Sequence, residues 1–405
     1  MKIKVVAGLA TILFLAAQPP VSAQNRLNWY KGNLHTHSYW SDGDEFPERI
    51  MGWYKSRGYH FLALSDHNTL AEGEKWITVK QKPEHLRDFD QYLEEFGTDW
   101  VVYKKEENNI QVRLKTYAEY KPLFEEPARF LILQAEEITD RYDKKPVHLN
   151  ATNIQKHIEP QGGGSVAQVL QNNIDAVLKY REESGTPAMV HVNHPNFGYA
   201  ISLADMIELR GERFFEIYNG HNAVHNLGDS THMSTEEMWD LINIAYLDQQ
   251  KPLIYGLATD DSHHYHETGR KFANAGRGWV MVQADSLSAG ALIDAMERGQ
   301  FYASTGVELR KLRFSKNKLT IRVKKERGVH YTIQFVGCRQ GDRQTQVLTE
   351  KRSSRARFKL DANLRFVRAV VTSDKLQENP VEAFLFEKAW TQPVERGGIA
   401  RAEAQ

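Results

Sequence analysis

A single cysteine, Cys338, in 405 residues rules out any intrachain disulfide, so the fold must hold without covalent staples. Cys338 sits in an apolar run and reads as a small core residue with no catalytic role. Charge of one sign is also lacking: 52 Lys and Arg balance 52 Asp and Glu. That balance excludes a global attraction to nucleic acid or to an anionic membrane. What is present is an apolar fraction of 41%, ordinary for a packed globular core. The length is enough for one large domain and a smaller companion.

Long hydrophobic runs are missing except at the start. Lys2 and Lys4 precede an apolar stretch from Val5 to Ala17, and Val21-Ser22-Ala23 supplies a small-residue cleavage pattern. The stretch is short against the roughly 20 residues that span a bilayer. A cleavable signal peptide over 1–23 is therefore predicted, with a periplasmic or secreted mature protein.

From about residue 28 to 305, short β-rich apolar runs alternate with helical stretches. The clearest strands are Phe61–Ser65, Phe130–Gln134, Ala188–Val192, Phe214–Tyr218 and Leu253–Ala258, and the helical candidates are Pro47–Arg57, Val166–Glu183, Thr235–Asp248 and Ser288–Arg298. Thr235 and Ser288 are placed to cap the last two. This alternation predicts an α/β fold with a mostly parallel sheet, open or closed into a barrel. A charged, aromatic-rich segment over 72–124 reads as an insertion, and Gln161–Gly164 as a flexible connector. Over 306–390 only short strands with turns are found, which predicts a small all-β domain, and 391–405 reads as a frayed tail.

Fifteen of the sixteen histidines lie between His35 and His266, and several stand at the ends of the strands just named. His35 and His37 are two apart, a spacing that points both rings to one side of a strand. Asp42 follows in Ser41-Asp42-Gly43. Asp66-His67 ends one apolar run, Glu136-Glu137 follows another, and His148 lies in Val147-His148-Leu149-Asn150. His194 follows Ala188–Val192, and Asp261 and His263 follow Leu253–Ala258. Barrels of alternating strand and helix gather their catalytic groups at the carboxyl ends of the strands. Carboxylates collected there would repel and take up protons unless cations neutralised them. Imidazoles with carboxylates form the ligand set of zinc, manganese or iron. The pattern predicts a multinuclear metal site.

The ordered set His35-Thr36-His37, Ser41-Asp42-Gly43, Ser65-Asp66-His67-Asn68, Glu137-Ile138-Thr139, His148, Asn193-His194-Pro195 and Asp261-Ser262-His263 resembles the polymerase-and-histidinol-phosphatase (PHP) family over roughly residues 28 to 305. The resemblance implies a distorted (β/α)7 barrel. It implies that His35, His37 and Asp261 hold one ion, that Glu137 bridges it to a second held by His148 and His194, and that Asp42, His67 and His263 hold a third where one exists. Two or three divalent ions (Zn, Mn or Fe) are thus expected, with Asp66 orienting a ligand from behind. The implied activity is metal-dependent hydrolysis of a small-molecule phosphoester, a phosphomonoester preferred. Cleavage of a carboxylic ester or C–N bond, and metal binding without catalysis, are the alternatives.

Arg270, Lys271 and Arg277 follow the Asp261–His263 motif and are candidates to grip phosphate, or else solvated loop charges. His264 and His266 are candidate proton donors, and Asn219 and His221 candidate pocket residues. Between Arg310 and Thr372 there are eighteen Lys and Arg against four Asp and Glu. In Arg355–Leu360 charged and apolar residues alternate. That pattern is either a docking face for an anionic polymer or for the barrel, or a solvated strand face that discourages edge pairing.

Overall fold

The computed structural model describes residues 27–107 and 109–397. The segment read as a signal peptide and the residues after 397 lie outside that description. β1 (Asn28–Asn33) leads through a loop to α1 (Pro47–Ser56), and β2 (Phe61–Leu64) follows, buried at every position. Next come β3 (Trp76–Thr78), α2 (Pro83–Phe96), β4 (Tyr103–Glu106), β5 (Asn109–Arg113) and α3 (Tyr117–Phe124). These three strands form a small antiparallel sheet of their own, in the order β3-β5-β4. β6 (Leu131–Tyr142) and β7 (Lys145–Thr152) form a long hairpin. Strand and helix then alternate through α4 (Val166–Ser184), β8 (Met189–Val192), α5 (Leu203–Glu208), β9 (Phe214–Asn219), α6 (Thr235–Asp248) and β10 (Tyr255–Thr259). β11 (Trp279–Ala284), α7 (Ala289–Glu297) and β12 (Phe301–Ser304) complete this part.

Only strands follow: β13 (Leu309–Ser315), β14 (Lys318–Val323), β15 (Tyr331–Arg339), β16 (Gln346–Arg352), β17 (Arg355–Lys359), β18 (Leu364–Leu376), β19 (Phe386–Thr391) and β20 (Val394–Glu395). Where a frayed tail is expected from 391, β20 pairs with β18 instead.

β2, β8 and β9 are buried at every position because both faces are covered, which is why they read as largely apolar runs, broken only by polar residues such as His191 and Glu216 in the last two. Five of the helices start where the sequence supplies a side-chain cap, and α1 and α2 start at a proline instead. Ser165, Ser234 and Ser288 each accept a hydrogen bond from the backbone N–H three residues on, and Thr116 and Ser202 form reciprocal capping boxes. Thr235 is therefore not the cap of α6. It is the first helical residue, and its hydroxyl donates to the Ile217 carbonyl.

The result is a mixed α/β chain with seven helices among the described residues and one large sheet, ordered β10-β9-β8-β7-β6-β2-β1-β11-β12-β19-β18-β15-β16. The sheet is less parallel than the alternation predicts. β1–β2, β2–β6, β8–β9 and β9–β10 are parallel, whereas β6–β7, β7–β8, β1–β11 and β11–β12 are antiparallel. The same sheet continues from β12 through β19 into the C-terminal strands. Cys338 is buried there with Ile244, Leu253 and Phe366.

Candidate metal centre

Backbone hydrogen bonds gather the strand ends. The segment after β1 runs between the segments after β10 and β2. His37 N–H donates to the Ser262 carbonyl and Asp261 N–H to the His35 carbonyl on one side, and Ser65 N–H donates to the Thr36 carbonyl on the other. The Asn68 N–H in turn donates to the Glu137 carbonyl. Asp261 and Asn68 hold left-handed backbone, with φ of 49° and 47°, a strained state that persists where surrounding structure fixes it. Gly43 is required by close approach, since a Cβ there would lie 2.6 Å from the carbonyl carbon of His37.

This frame brings together all nine residues read as ligands. Glu137 lies inside β6, not after it, and strand alternation sends Glu136 and Glu137 to opposite faces. Glu136 turns away, binding the His157 imidazole and the Ile158 N–H. Glu137 turns inward. One of its oxygens is 3.1 Å from His148 Nδ1, 3.3 Å from His194 Nε2 and 3.5 Å from His35 Nε2. The other is 2.8 Å from His67 Nδ1 and 3.4 Å from His37 Nε2. His35 Nε2 and His37 Nε2 are 3.1 Å apart. Asp261 places one oxygen 3.2 Å from His35 Nε2 and 3.1 Å from His37 Nε2, and its other 3.9 Å from His194 Nε2. Asp42 lies 3.2 Å from His263 Nε2 and 3.5 Å from His67 Nε2.

Donor atoms within 4.8 Å of one another thus form several overlapping sets. Glu137 joins His35 and His37 in one and His67 and His148 in another, His194 and Asp261 join His35, and Asp42, His67 and His263 join His37. The grouping differs from the one the resemblance implies: His37 completes the Asp42 set, His67 also joins Glu137 and His148, and His194 sits with His35 and Asp261.

Electrostatics argue that the donors are arranged for cations. Four carboxylates (Asp42, Glu137, Glu216 and Asp261) pair only with imidazoles, and among the described residues no lysine or arginine makes an ion pair with them. Burial pushes the Glu137 carboxyl up, but His67, His148 and His35 outweigh it and hold the group well below the carboxylate range. Burial pushes the His35 imidazole down, yet Asp261, Glu216 and Glu137 draw it well above its ordinary value. His67 likewise rises to about 11 against burial, through Glu137 and Asp42. The carboxylates are pulling positive charge into the cluster. His37, by contrast, is held down to about 3 by burial and by His263, so it stays a neutral donor.

Geometry agrees. The second Glu137 oxygen and His148 Nδ1 are buried without a hydrogen-bond partner, although His67 Nδ1 stands 2.8 Å from the first and the other Glu137 oxygen 3.1 Å from the second. Buried polar atoms are normally satisfied, so an orphaned pair at the centre of nine metal-type ligands fits divalent ions well.

Two residues at the site are absent from the sequence reading. Glu216, in the middle of β9, is completely buried. Its Oε1 lies 2.7 Å from His35 Nδ1 and accepts from the Thr259 hydroxyl, and its Oε2 accepts from the His194 N–H at 2.8 Å and from Asn219 Nδ2 at 2.8 Å. His191, in β8, has its Nε2 3.4 Å from Glu216. The available signal was a charged residue inside the apolar run Phe214–Tyr218. Asn219, expected to line the pocket, is completely buried, and its amide also donates to Asp261 at 3.0 Å. His221 lies beside the cluster, its ring 5.2 Å from that of His263, and burial lowers it to about 4.

The roles expected of Asp66, Arg277, His264 and His266 are not supported by placement. Asp66 contacts no ligand imidazole; it accepts from Ser38 N–H, the Ser38 hydroxyl and the Ser41 hydroxyl, and so pins the loop that carries His37 and Asp42. Arg277 is buried with its guanidinium turned to the carbonyls of Gly220, Gly269, Phe272 and Asn379, which leaves it no reach to a phosphate. His264 accepts from the Ala273 N–H and packs on Phe272, and His266 donates to the Asp44 carbonyl. Arg270 and Lys271 are exposed.

No family model and no curated protein matches the sequence. Solved structures similar to it include a two-domain protein from Bacteroides vulgatus containing a predicted PHP-like metal-dependent phosphoesterase, at 13% identity and TM-score 0.40, covering 93% of this chain and all of that one. A candidate metal-dependent phosphoesterase from Bifidobacterium adolescentis is similar over 58% of this chain and 88% of its own, at 13% identity and TM-score 0.29. An amidohydrolase from Chromobacterium violaceum is similar over 57% and 87%, at 13% identity and TM-score 0.29.

Proposed function

We propose that the chain is a metal-dependent hydrolase of the PHP type, with the strands from β1 to β12 as its distorted barrel, and that its substrate is a phosphoester. The observation that carries this reading is Glu137, a buried carboxylate shared between two imidazole sets with one oxygen left unpaired. Two or three zinc, manganese or iron ions would be held by His35, His37, Asp42, His67, Glu137, His148, His194, Asp261 and His263. Such ions supply Lewis acidity and neutralise the charge that builds on a phosphoryl group.

The protein's own groups fix the geometry. Glu216 sets the His35 tautomer, so that Nε2 faces the cluster, and holds the His194 backbone; Asn219 steadies Asp261. Asp66 keeps the Asp42 loop folded over the ends of β1 and β2. The substrate's phosphate is assigned to the exposed Arg270 and Lys271, with His221 lining the approach. Export by the segment 1–23 is part of the same proposal.

A second reading, hydrolysis of a carboxylic ester or amide, is favoured by one feature: no lysine or arginine pairs with the cluster carboxylates among the described residues. Rates on a phosphomonoester, a phosphodiester and a carboxamide at equal concentration, with Mn or Zn added, test the choice. The phosphomonoester should be fastest; equal or faster cleavage of the carboxamide overturns the phosphoesterase reading.

A further inference from the structure

The C-terminal strands include a separate three-stranded antiparallel sheet, ordered β13-β14-β17. One face is apolar: Leu312, Ile321 and Ala356 form one cross-strand row and Phe314, Leu319 and Phe358 the next, with Phe358 stacked on Phe335 of β15. The other face is almost wholly cationic. Lys311, Arg322 and Arg355 stand in one row, Arg313 and Arg357 flank Thr320 in the second, and in the third Lys318 faces Lys359 beside Ser315. All of these cations are exposed, and none makes an ion pair among the described residues.

Like charges directly opposite one another on a sheet are destabilising. Protection of exposed edges does not account for this face, because β14, the middle strand, has no free edge and still presents Lys318 and Arg322. The basic surface also continues. Arg322 and Arg355 form one margin of an open groove of about 1420 Å³, whose walls add Arg310, Lys325, Arg352 and Lys324. Lys324 is paired with Glu308, and the one acidic residue of the groove, Asp374, is bonded to His330.

We propose that this face and its groove bind a linear inorganic polyphosphate chain. The face recognises negative charge and nothing else. The outward positions of the sheet face hold no aromatic ring on which a base or sugar could stack, and only Thr320 and Ser315 interrupt the cations there; Tyr331 and Phe386 line only the groove. The track runs from the sheet face into a groove, which a chain can follow and a planar bilayer cannot. Guanidinium groups, planar and forked, suit phosphate oxygens better than ammonium groups do. The proposal is independent of the metal-site reading, because it is tested by binding without turnover.

The test is calorimetric titration of the full chain with long-chain inorganic polyphosphate over a range of salt concentrations. Saturable binding is expected. In R322Q/R355Q/R357Q it should weaken at least tenfold, with the slope of log affinity against log salt falling by about one for each cation removed. Cleavage of a small phosphoester should not change, and the melting temperature should hold or rise because opposed charges are gone. If that variant fails to fold, K311Q/K318Q/K359Q serves the same purpose. No binding at low salt, unchanged binding in the folded variant, or tighter binding of duplex DNA or phosphatidylserine vesicles than of polyphosphate would each overturn the proposal.

Discussion

Two buried polar clusters in this molecule solve the same problem in opposite ways. Where α6 meets β18, Arg368 is 2% exposed, and its guanidinium grips both oxygens of Asp240 at 2.7 and 2.8 Å and Glu236 at 3.0 Å. Trp390 donates to the other Glu236 oxygen, Thr345 to the Asp240 oxygen that Arg368 Nη2 also holds, and the cation lies over the Trp239 ring. Every carboxylate oxygen here has a protein donor. At the strand ends, four carboxylates make ion pairs with imidazoles alone among the described residues, and two buried atoms, Glu137 Oε2 and His148 Nδ1, are left without hydrogen-bond partners. The first cluster holds the C-terminal strands to the helical layer. The second is incomplete without a ligand. Burial of charge alone does not mark a functional site; burial of charge that the protein itself leaves unsatisfied does.

The largest effect that would separate the two clusters is expected from Glu137→Gln. It keeps the shape and removes the shared charge, so activity should fall by orders of magnitude while the melting temperature of metal-free protein holds or rises. Glu136→Gln, on the opposite face of β6, should be far milder. If the two behave the other way round, the assignment of the bridge fails. Arg368→Met should do the converse. Stranding Asp240 should cost about 3–5 kcal/mol in denaturant unfolding, with turnover per folded molecule unchanged. A smaller effect is expected from Glu216→Gln, which leaves every ligand in place and loosens His35 and His194. Metal affinity measured by chelator competition should drop about 10–100-fold. An unchanged affinity would make Glu216 a core residue only.

Glu212 sharpens the comparison further. It too is buried with one oxygen unpaired, and Tyr246 donates to the other, but no imidazole cluster surrounds it. Burial raises it from 4.5 to about 8, so at neutral pH it resolves its isolation with a proton and not a cation. The folded state then holds a proton that the unfolded state has lost. Its stabilising contribution is therefore full below about pH 4.5 and is lost as pH rises through about 8. The decline should reach at most about 1.4 kcal/mol per pH unit. Glu212→Gln should remove this component of the stability–pH curve; an unchanged curve would show that the group is ionised throughout.

Much of this was legible in the sequence because the ligands stand at or just beyond apolar strands, where both the run and the polar residue that ends it are visible. His67, His194, Asp261 and His263 are all of this kind. Glu216 and His191 were missed because they interrupt fully buried strands, and a strand pattern gives no account of the partners such residues require. Glu137 was found, but its setting was not: β6 continues past it to pair with β7, a register that depends on contacts distant in sequence. Arg277 shows the limit most clearly. Its position after the Asp261–His263 motif suggested phosphate, and only three-dimensional packing reveals the carbonyls that claim it. The change of composition near residue 306 was visible, whereas the continuation of one sheet across it through β12 and β19 was not.

The central claim is that the strand-end cluster exists to hold metal. Elemental analysis of the purified chain after dialysis against Mn or Zn, run alongside Glu137→Gln, tests it most directly. Two or three ions per native chain, with fewer in the variant, is the expected result. Less than one ion per native chain would contradict the account.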